Sequence, residues 1–210
     1  MTLKEQSPAI LVVDDDVDTC RNLSDILTDL GYRVDTAHEG PSALELVKRK
    51  TYDLALLDLK MPGMDGLTLY REIKRLRADT VAIIVTAYAT STTADEALAA
   101  GAWQVLPKPV DPARLLKLVD EALDQPLVLV IDDDPDLCDS LWDLLRDCKY
   151  RVAVAHDQPT AVEQLRDKAF RVVLIDMKLP SGDGGSVFRL VRQANPRAHR
   201  RHHRPPRRNG

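Results

Sequence analysis

Cysteine is scarce. Three cysteines in 210 residues cannot build a disulfide scaffold, and their odd number and spacing suit no metal site. A chain of this kind is expected in a reducing cytoplasm. No apolar run approaches the ~18 residues that a membrane span requires, so no membrane association is expected. Residues 1–8 carry neither a basic stretch nor an apolar segment, and no secretory signal is expected. No glycine-rich loop follows the first apolar run, which disfavours nucleotide binding through a phosphate loop. Acidic side chains outnumber basic ones over residues 1–196, which disfavours a basic nucleic-acid surface there. What remains is a globular balance, 44% hydrophobic and 30% charged, with length enough for one or two domains.

The chain repeats itself. Ile10-Leu11-Val12-Val13-Asp14-Asp15-Asp16 returns as Val128-Leu129-Val130-Ile131-Asp132-Asp133-Asp134. The segment from Tyr52 to Pro62 returns, at the same gapless offset, as Phe170 to Pro180. So long a period marks a duplicated domain rather than a solenoid unit. In the first copy, apolar β-branched runs at 9–13, 33–37, 53–57, 81–85 and 103–106 read as buried parallel strands. Helical stretches at 17–30, 41–50, 65–77, 90–100 and 111–124 separate them. Leu23, Ile26, Leu27 and Leu30 share one helix face, Asp18 reads as the cap of that helix, and Gly31 suits its end. Alternating strands and helices imply an α/β fold with a parallel sheet covered on both faces. The second copy shows strands near 127–131, 151–154 and 171–175 and helices near 136–148, 159–168 and 184–194. The linker is short, Asp124-Gln125-Pro126, which suggests adjacent domains with helix 111–124 docked between them.

In open parallel sheets, ligands gather beyond the carboxyl ends of the strands. Strand 9–13 runs into Asp14 and Asp15, and strand 53–57 runs into Asp58. Two carboxylates ~5 Å apart repel by roughly 3 kcal/mol at an effective dielectric near 20. A hard divalent cation such as Mg²⁺ would relieve that repulsion. Asp16 is expected to turn away with the loop. Thr86 ends strand 81–85, and Lys108, between Pro107 and Pro109, follows strand 103–106. A carboxylate nucleophile, a metal, a hydroxyl and an ammonium at one edge cover the needs of phosphoryl transfer.

These residues carry a resemblance. Val12-Val13-Asp14-Asp15, Leu57 to Gly66, Val85-Thr86-Ala87, Gly101-Ala102 and Lys108-Pro109 stand in the order and spacing of the receiver domain of bacterial two-component response regulators, which residues 9–124 resemble throughout. The resemblance implies a flavodoxin-like doubly wound sheet of order 2-1-3-4-5, with Asp58 as phosphoacceptor. Asp15, Asp58 and the Lys60 backbone carbonyl would ligate Mg²⁺, with Asp14 acting largely through water. Thr86 and Lys108 would contact the aspartyl phosphate, and the Lys108-Pro109 bond would be cis. The phosphoryl donor would be a histidine kinase or a histidine phosphotransfer protein. Such a module assists its own phosphorylation and is not a turnover enzyme. One departure concerns the usual aromatic switch position, where Val105 stands.

The second copy, 127–196, reads as a truncated receiver. Asp132, Asp133 and candidate acceptor Asp176 reproduce the carboxylate cluster, and Pro180 and Gly184 reproduce parts of the following loop, with Ser181-Gly182 in place of Gly63-Met64. The equivalent of Thr86 is Arg204, and that of Lys108 falls past residue 210. The surviving sheet would be 2-1-3, with strand 171–175 as an apolar edge that invites pairing or dimerisation. This copy is therefore expected to be inactive. Residues 197–210, with six arginines and no acid, read as a frameshift or gene-model artefact, or else as a genuine disordered basic tail.

Two other functions compete with the signalling switch. A haloacid-dehalogenase-type phosphatase would use Asp14-x-Asp16, but it leaves Asp58 and Lys108-Pro109 unexplained. A non-catalytic docking module would make no use of Asp58. Among lesser features, Cys20, Cys138 and Cys148 read as buried structural thiols and His38 and His156 as loop surface. Trp103 and Trp142 read as packing residues, Thr90 to Thr93 as a helix start, and Lys60 and Lys178 as solvated side chains.

Overall fold

A computed structural model describes residues 7–87, 89–176, 179, 188, 189 and 191. The first copy alternates β1 (Ala9–Val13), α1 (Val17–Asp29), β2 (Arg33–Ala37), α2 (Gly40–Arg49), β3 (Leu54–Asp58), α3 (Gly66–Leu76), β4 (Val81–Thr86), α4 (Ser91–Ala99), β5 (Gln104–Pro107) and α5 (Pro112–Leu123). The strands pair in parallel in the order β2-β1-β3-β4-β5, as the flavodoxin-like reading expects. Central strands β1 and β3 are apolar and buried throughout because helices cover both faces of the sheet. Successive side chains point to opposite faces. Leu11, Val13, Ala55, Leu57, Ala82 and Ile84 therefore enter one core with α2 and α3. Ile10, Val12, Leu54, Leu56, Ile83 and Val85 enter the other, with α1 and α5. Edge strand β2, Arg-Val-Asp-Thr-Ala, is mostly polar and mostly exposed to some degree.

The second copy forms β6 (Leu127–Ile131), α6 (Pro135–Asp147), β7 (Arg151–Ala155), α7 (Gln158–Asp167) and β8 (Val172–Ile175). Its sheet has the order β7-β6-β8, which matches the expected 2-1-3. On β8, Val172 and Leu174 are 43% and 38% exposed, whereas their first-copy equivalents Leu54 and Leu56 are 0% and 1% exposed. Among the described residues no strand pairs with the outer side of β8. The loop residues Pro180, Ser181, Gly182 and Gly184, helix 184–194 as a unit, Lys178 and the tail 197–210 lie outside the described residues.

Three expectations need correction. The cap of α1 is Asp16, not Asp18: its side chain accepts from the backbone N–H of Asp18 and Thr19. Asp18 already sits in the first turn, where a carboxylate still favours the helix N-terminus. Helix α5 is not wedged between the copies; Leu115, Val119 and Ala122 bury against the first sheet. The copies meet instead through α6 and β7 and the residues flanking α3, α4 and β3. Arg151 pairs with Asp53 at 3.0 Å, and Lys168 pairs with Asp79. The indole N–H of Trp142 donates to the Ala78 carbonyl at 2.9 Å, and Ala78 packs into a core cluster of the second copy. Finally, Cys148 is exposed; only Cys20 and Cys138 are buried.

Candidate phosphoryl-transfer site

The site forms where β1, β3, β4 and β5 end. Strand β3 runs one residue further than its apolar run, because Asp58 pairs with Val85 of β4. That pairing carries a carboxylate into a nearly closed position, 6% exposed. Asp14 follows β1 and is 2% exposed, while Asp15 is exposed. Oxygens of Asp14, Asp15 and Asp58 all lie within 4.8 Å of one another.

Lys108 supplies the counter-charge. Its Nζ lies 2.6 Å from Asp14 Oδ2 and 3.2 Å from Asp58 Oδ1. The Lys108 N–H donates to the Thr86 carbonyl at 2.8 Å, and the Lys108-Pro109 peptide is cis, as expected. Thr86 is fully buried at the end of β4, in register with Pro107. Asp14 is held from the other side, because its Oδ1 accepts the Asp16 N–H at 3.0 Å. Its carbonyl lies 3.4 Å from Cys20 Sγ.

Burial is the largest influence on Asp58 and pushes its carboxyl above the ordinary carboxylate range. Lys108 opposes that push, and the charges of Asp14 and Asp15 add to it. For Lys108 the balance reverses. Burial disfavours its ammonium, but the Asp14 hydrogen bond and the two carboxylate charges outweigh burial and hold it above its ordinary value. The three carboxylates form a compact set of hard oxygen ligands, which suits Mg²⁺ better than a softer metal.

Gly66 has a role that pattern reading did not assign. A Cβ there would lie 2.2 Å from the Asp58 carbonyl oxygen and 3.1 Å from the Leu59 Cα. Its N–H donates to the Leu59 carbonyl at 2.9 Å, so only glycine lets α3 start against the backbone of Asp58. The residue type was visible within the motif, but the close approach is a three-dimensional fact. Gly63 takes the left-handed conformation, φ +78°, that its turn requires. The Lys60 side chain is exposed, and Val105 is half-buried against the core that holds α3. His38 and His156 are exposed loop residues, and Thr90 caps α4. In the second copy, oxygens of Asp132, Asp133 and Asp176 also lie within 4.8 Å of one another, but Asp132 is less buried than Asp14.

Comparison with known proteins places the fold in a family. The response regulator receiver domain model matches residues 10–120 and again residues 128–200. A response regulator receiver protein of Anaeromyxobacter sp. (strain Fw109-5) is 34% identical over 89% of this chain and 78% of its own length. The transcriptional regulatory protein ZraR of Klebsiella oxytoca is 45% identical over 54% of this chain, but the match spans only 26% of that relative. For the transcriptional regulatory protein GlrR of Escherichia coli (strain K12) the figures are 32% identity, 90% of this chain and 40% of the relative. Among solved structures, a CheY-like receiver domain protein from Methanospirillum hungatei JF-1 is 36% identical with a TM-score of 0.54, covering 56% of this chain and 94% of that one. The CheX-CheY-BeF3-Mg complex from Borrelia burgdorferi matches at 32% identity and a TM-score of 0.51, covering 53% of this chain and 86% of that one. The chain belongs to the response regulator receiver domain family, the phosphoacceptor signalling modules of two-component systems, and carries that domain twice.

Proposed function

We propose that Asp58 is the phosphoacceptor, and that 9–124 is the working receiver of this chain. The carrying observation is the Asp14, Asp15 and Asp58 oxygens within 4.8 Å of one another, with Lys108 bridging Asp14 and Asp58. In the transfer, an Asp58 carboxylate oxygen attacks the phosphorus of a phosphohistidine on a kinase or phosphotransfer protein. The O–P bond forms, the N–P bond breaks, and the imidazole leaves with the bonding electron pair. Asp14, Asp15, Asp58 and the Lys60 carbonyl would hold Mg²⁺, whose charge offsets that of the phosphoryl oxygens. Lys108 gives its ammonium to the same charge, and Thr86 donates its hydroxyl to a phosphoryl oxygen. The added charge then biases a two-state interaction surface. We read the module as a cytoplasmic signalling protein that assists its own phosphorylation without turnover. Among the described residues no helix is long and apolar enough to cross a membrane. The second copy, 127–196, keeps the acidic cluster, but Asp176 is not expected to react, because Arg204 stands where the repeat offset would place the counterpart of Thr86.

The test is chemical mapping. The protein is treated with acetyl phosphate and Mg²⁺, the acyl phosphate is reduced with borohydride, and the peptides are sequenced by mass. The modification is expected at Asp58. Modification at Asp176 alone would overturn the assignment.

A further inference from the structure

The contact between the copies uses positions at which the two copies differ. Trp142, Arg146 and Lys149 occupy the places held in the first copy by Ser24, Thr28 and Gly31. Trp142 is 4% exposed. Its ring lies so near Gly101 that a Cβ there would come within 2.7 Å of it. Lys74 of α3 sits 3.5 Å from the centre of the same ring. An Arg146 Nη1 donates to the Leu98 carbonyl at 3.1 Å, at the last turn of α4. The Lys149 ammonium lies 4.5 Å from the centre of the Trp103 ring.

A second rewriting supports the first. In the first copy, Lys50 pairs with Asp35 at 2.9 Å, and Tyr52 donates its hydroxyl to the same carboxylate. The equivalents in the second copy are Lys168, Ala153 and Phe170. The internal carboxylate and the phenol are gone, the lysine remains, and it reaches across to Asp79 of the first copy. Arg151 likewise spans the boundary to Asp53, whereas its equivalent Arg33 donates to the Ser7 carbonyl. A surface serving only as the back of a spare phosphoacceptor has no need of these exchanges.

This surface reaches the C-terminal end of α4, through Arg146 on the Leu98 carbonyl and Trp142 beside Gly101. Helix α4 begins just beyond Thr86, and Ala97 is its one buried residue. So little burial anchors it weakly to its own domain. At its last turn the Leu98 carbonyl already accepts the Gly101 N–H at 3.0 Å, and the guanidinium adds a second donor at the negative end of the helix dipole. We infer that the second receiver copy is a built-in binding partner of the first, with the α6 face as its docking surface, and that it restrains helix α4. The docking does not depend on Asp58 being the acceptor. Only its consequence, a second copy that limits how α4 answers phosphate at the Thr86 end, rests on that reading.

Hydrogen exchange on the full chain, without phosphodonor, tests the inference. Arg146→Thr restores the first copy's residue, and Asp79→Lys and Lys168→Asp each reverse one side of the ion pair. Each single variant is expected to speed exchange in α4 and α6 by roughly tenfold, while β6 stays protected. The double swap, Asp79→Lys with Lys168→Asp, is expected to recover most of that protection. Unchanged α4 exchange in the single variants, or no recovery in the swap, would overturn the inference. Because no phosphate is involved, failure here is distinct from failure of the Asp58 assignment.

Discussion

Lys108 Nζ lies 2.6 Å from Asp14 Oδ2, although one residue follows the first strand and the other follows the last strand of the same sheet. The doubly wound order makes this possible, because β1 is central and the carboxyl ends of all the parallel strands share one edge. The pair offsets the charge of two nearly buried carboxylates that would otherwise repel.

Lys108→Met removes that offset. The account predicts a loss of about 1–3 kcal/mol in folding stability in chelator, since charged acceptors are left without their donor. Added Mg²⁺ is expected to stabilise this variant more than the wild type. Urea unfolding with and without Mg²⁺ measures both effects.

Gly66→Ala places a methyl group against the Asp58 backbone, 2.2 Å from its carbonyl oxygen. Neither partner is a yielding side-chain tip, so the loop must shift. A destabilisation of about 1–3 kcal/mol is expected, with slowed phosphorylation of Asp58. Thermal unfolding and labelling by acetyl phosphate read the two consequences.

The thiols separate by environment. Burial pushes Cys20 up to about 11, with the Asp14 charge adding to the shift, and pushes Cys138 up to about 11, with the Asp132 charge adding. Cys148 is exposed. A disulfide reagent at pH 8 is expected to titrate Cys148 quickly and the other two only on unfolding. Peptide mapping after brief labelling identifies the fast thiol.

Docking between the copies is expected to depend on pH through Asp53, which pairs with Arg151 at 3.0 Å. Burial raises its pKa, but the Arg151 guanidinium and the Ala9 N–H outweigh that and hold it below the ordinary value of 3.8. A carboxylate depressed in the folded state contributes stability that is complete above 3.8 and lost as pH falls through its folded value. Exchange in α6 and β7 is therefore expected to accelerate below about pH 4 in the wild type. Asp53→Asn is expected to flatten that response.

Much of this architecture is legible in one dimension. Buried parallel strands are continuous apolar runs, so β1 and β3 stand out. The residues that end them, Asp14, Asp15 and Asp58, must then share an edge. Local choices are less visible. Asp16 and Asp18 are equally good caps by type, and only the backbone turn gives the role to Asp16. The contact between copies is the least legible. Trp142 reads as an ordinary apolar position on a helix, and nothing near it in the chain points to Ala78 or Gly101. Comparing the copies position by position does carry a signal, in Ser24 against Trp142 and Asp35 against Ala153, but its meaning depends on seeing which face α6 presents to α3 and α4.

The most direct measurement is intact mass after incubation with Mg²⁺ and acetyl phosphate, for the wild type and Asp58→Asn. The account predicts one added phosphate in the wild type and none in the variant. Two phosphates in the wild type, or a variant that still gains one, would contradict it.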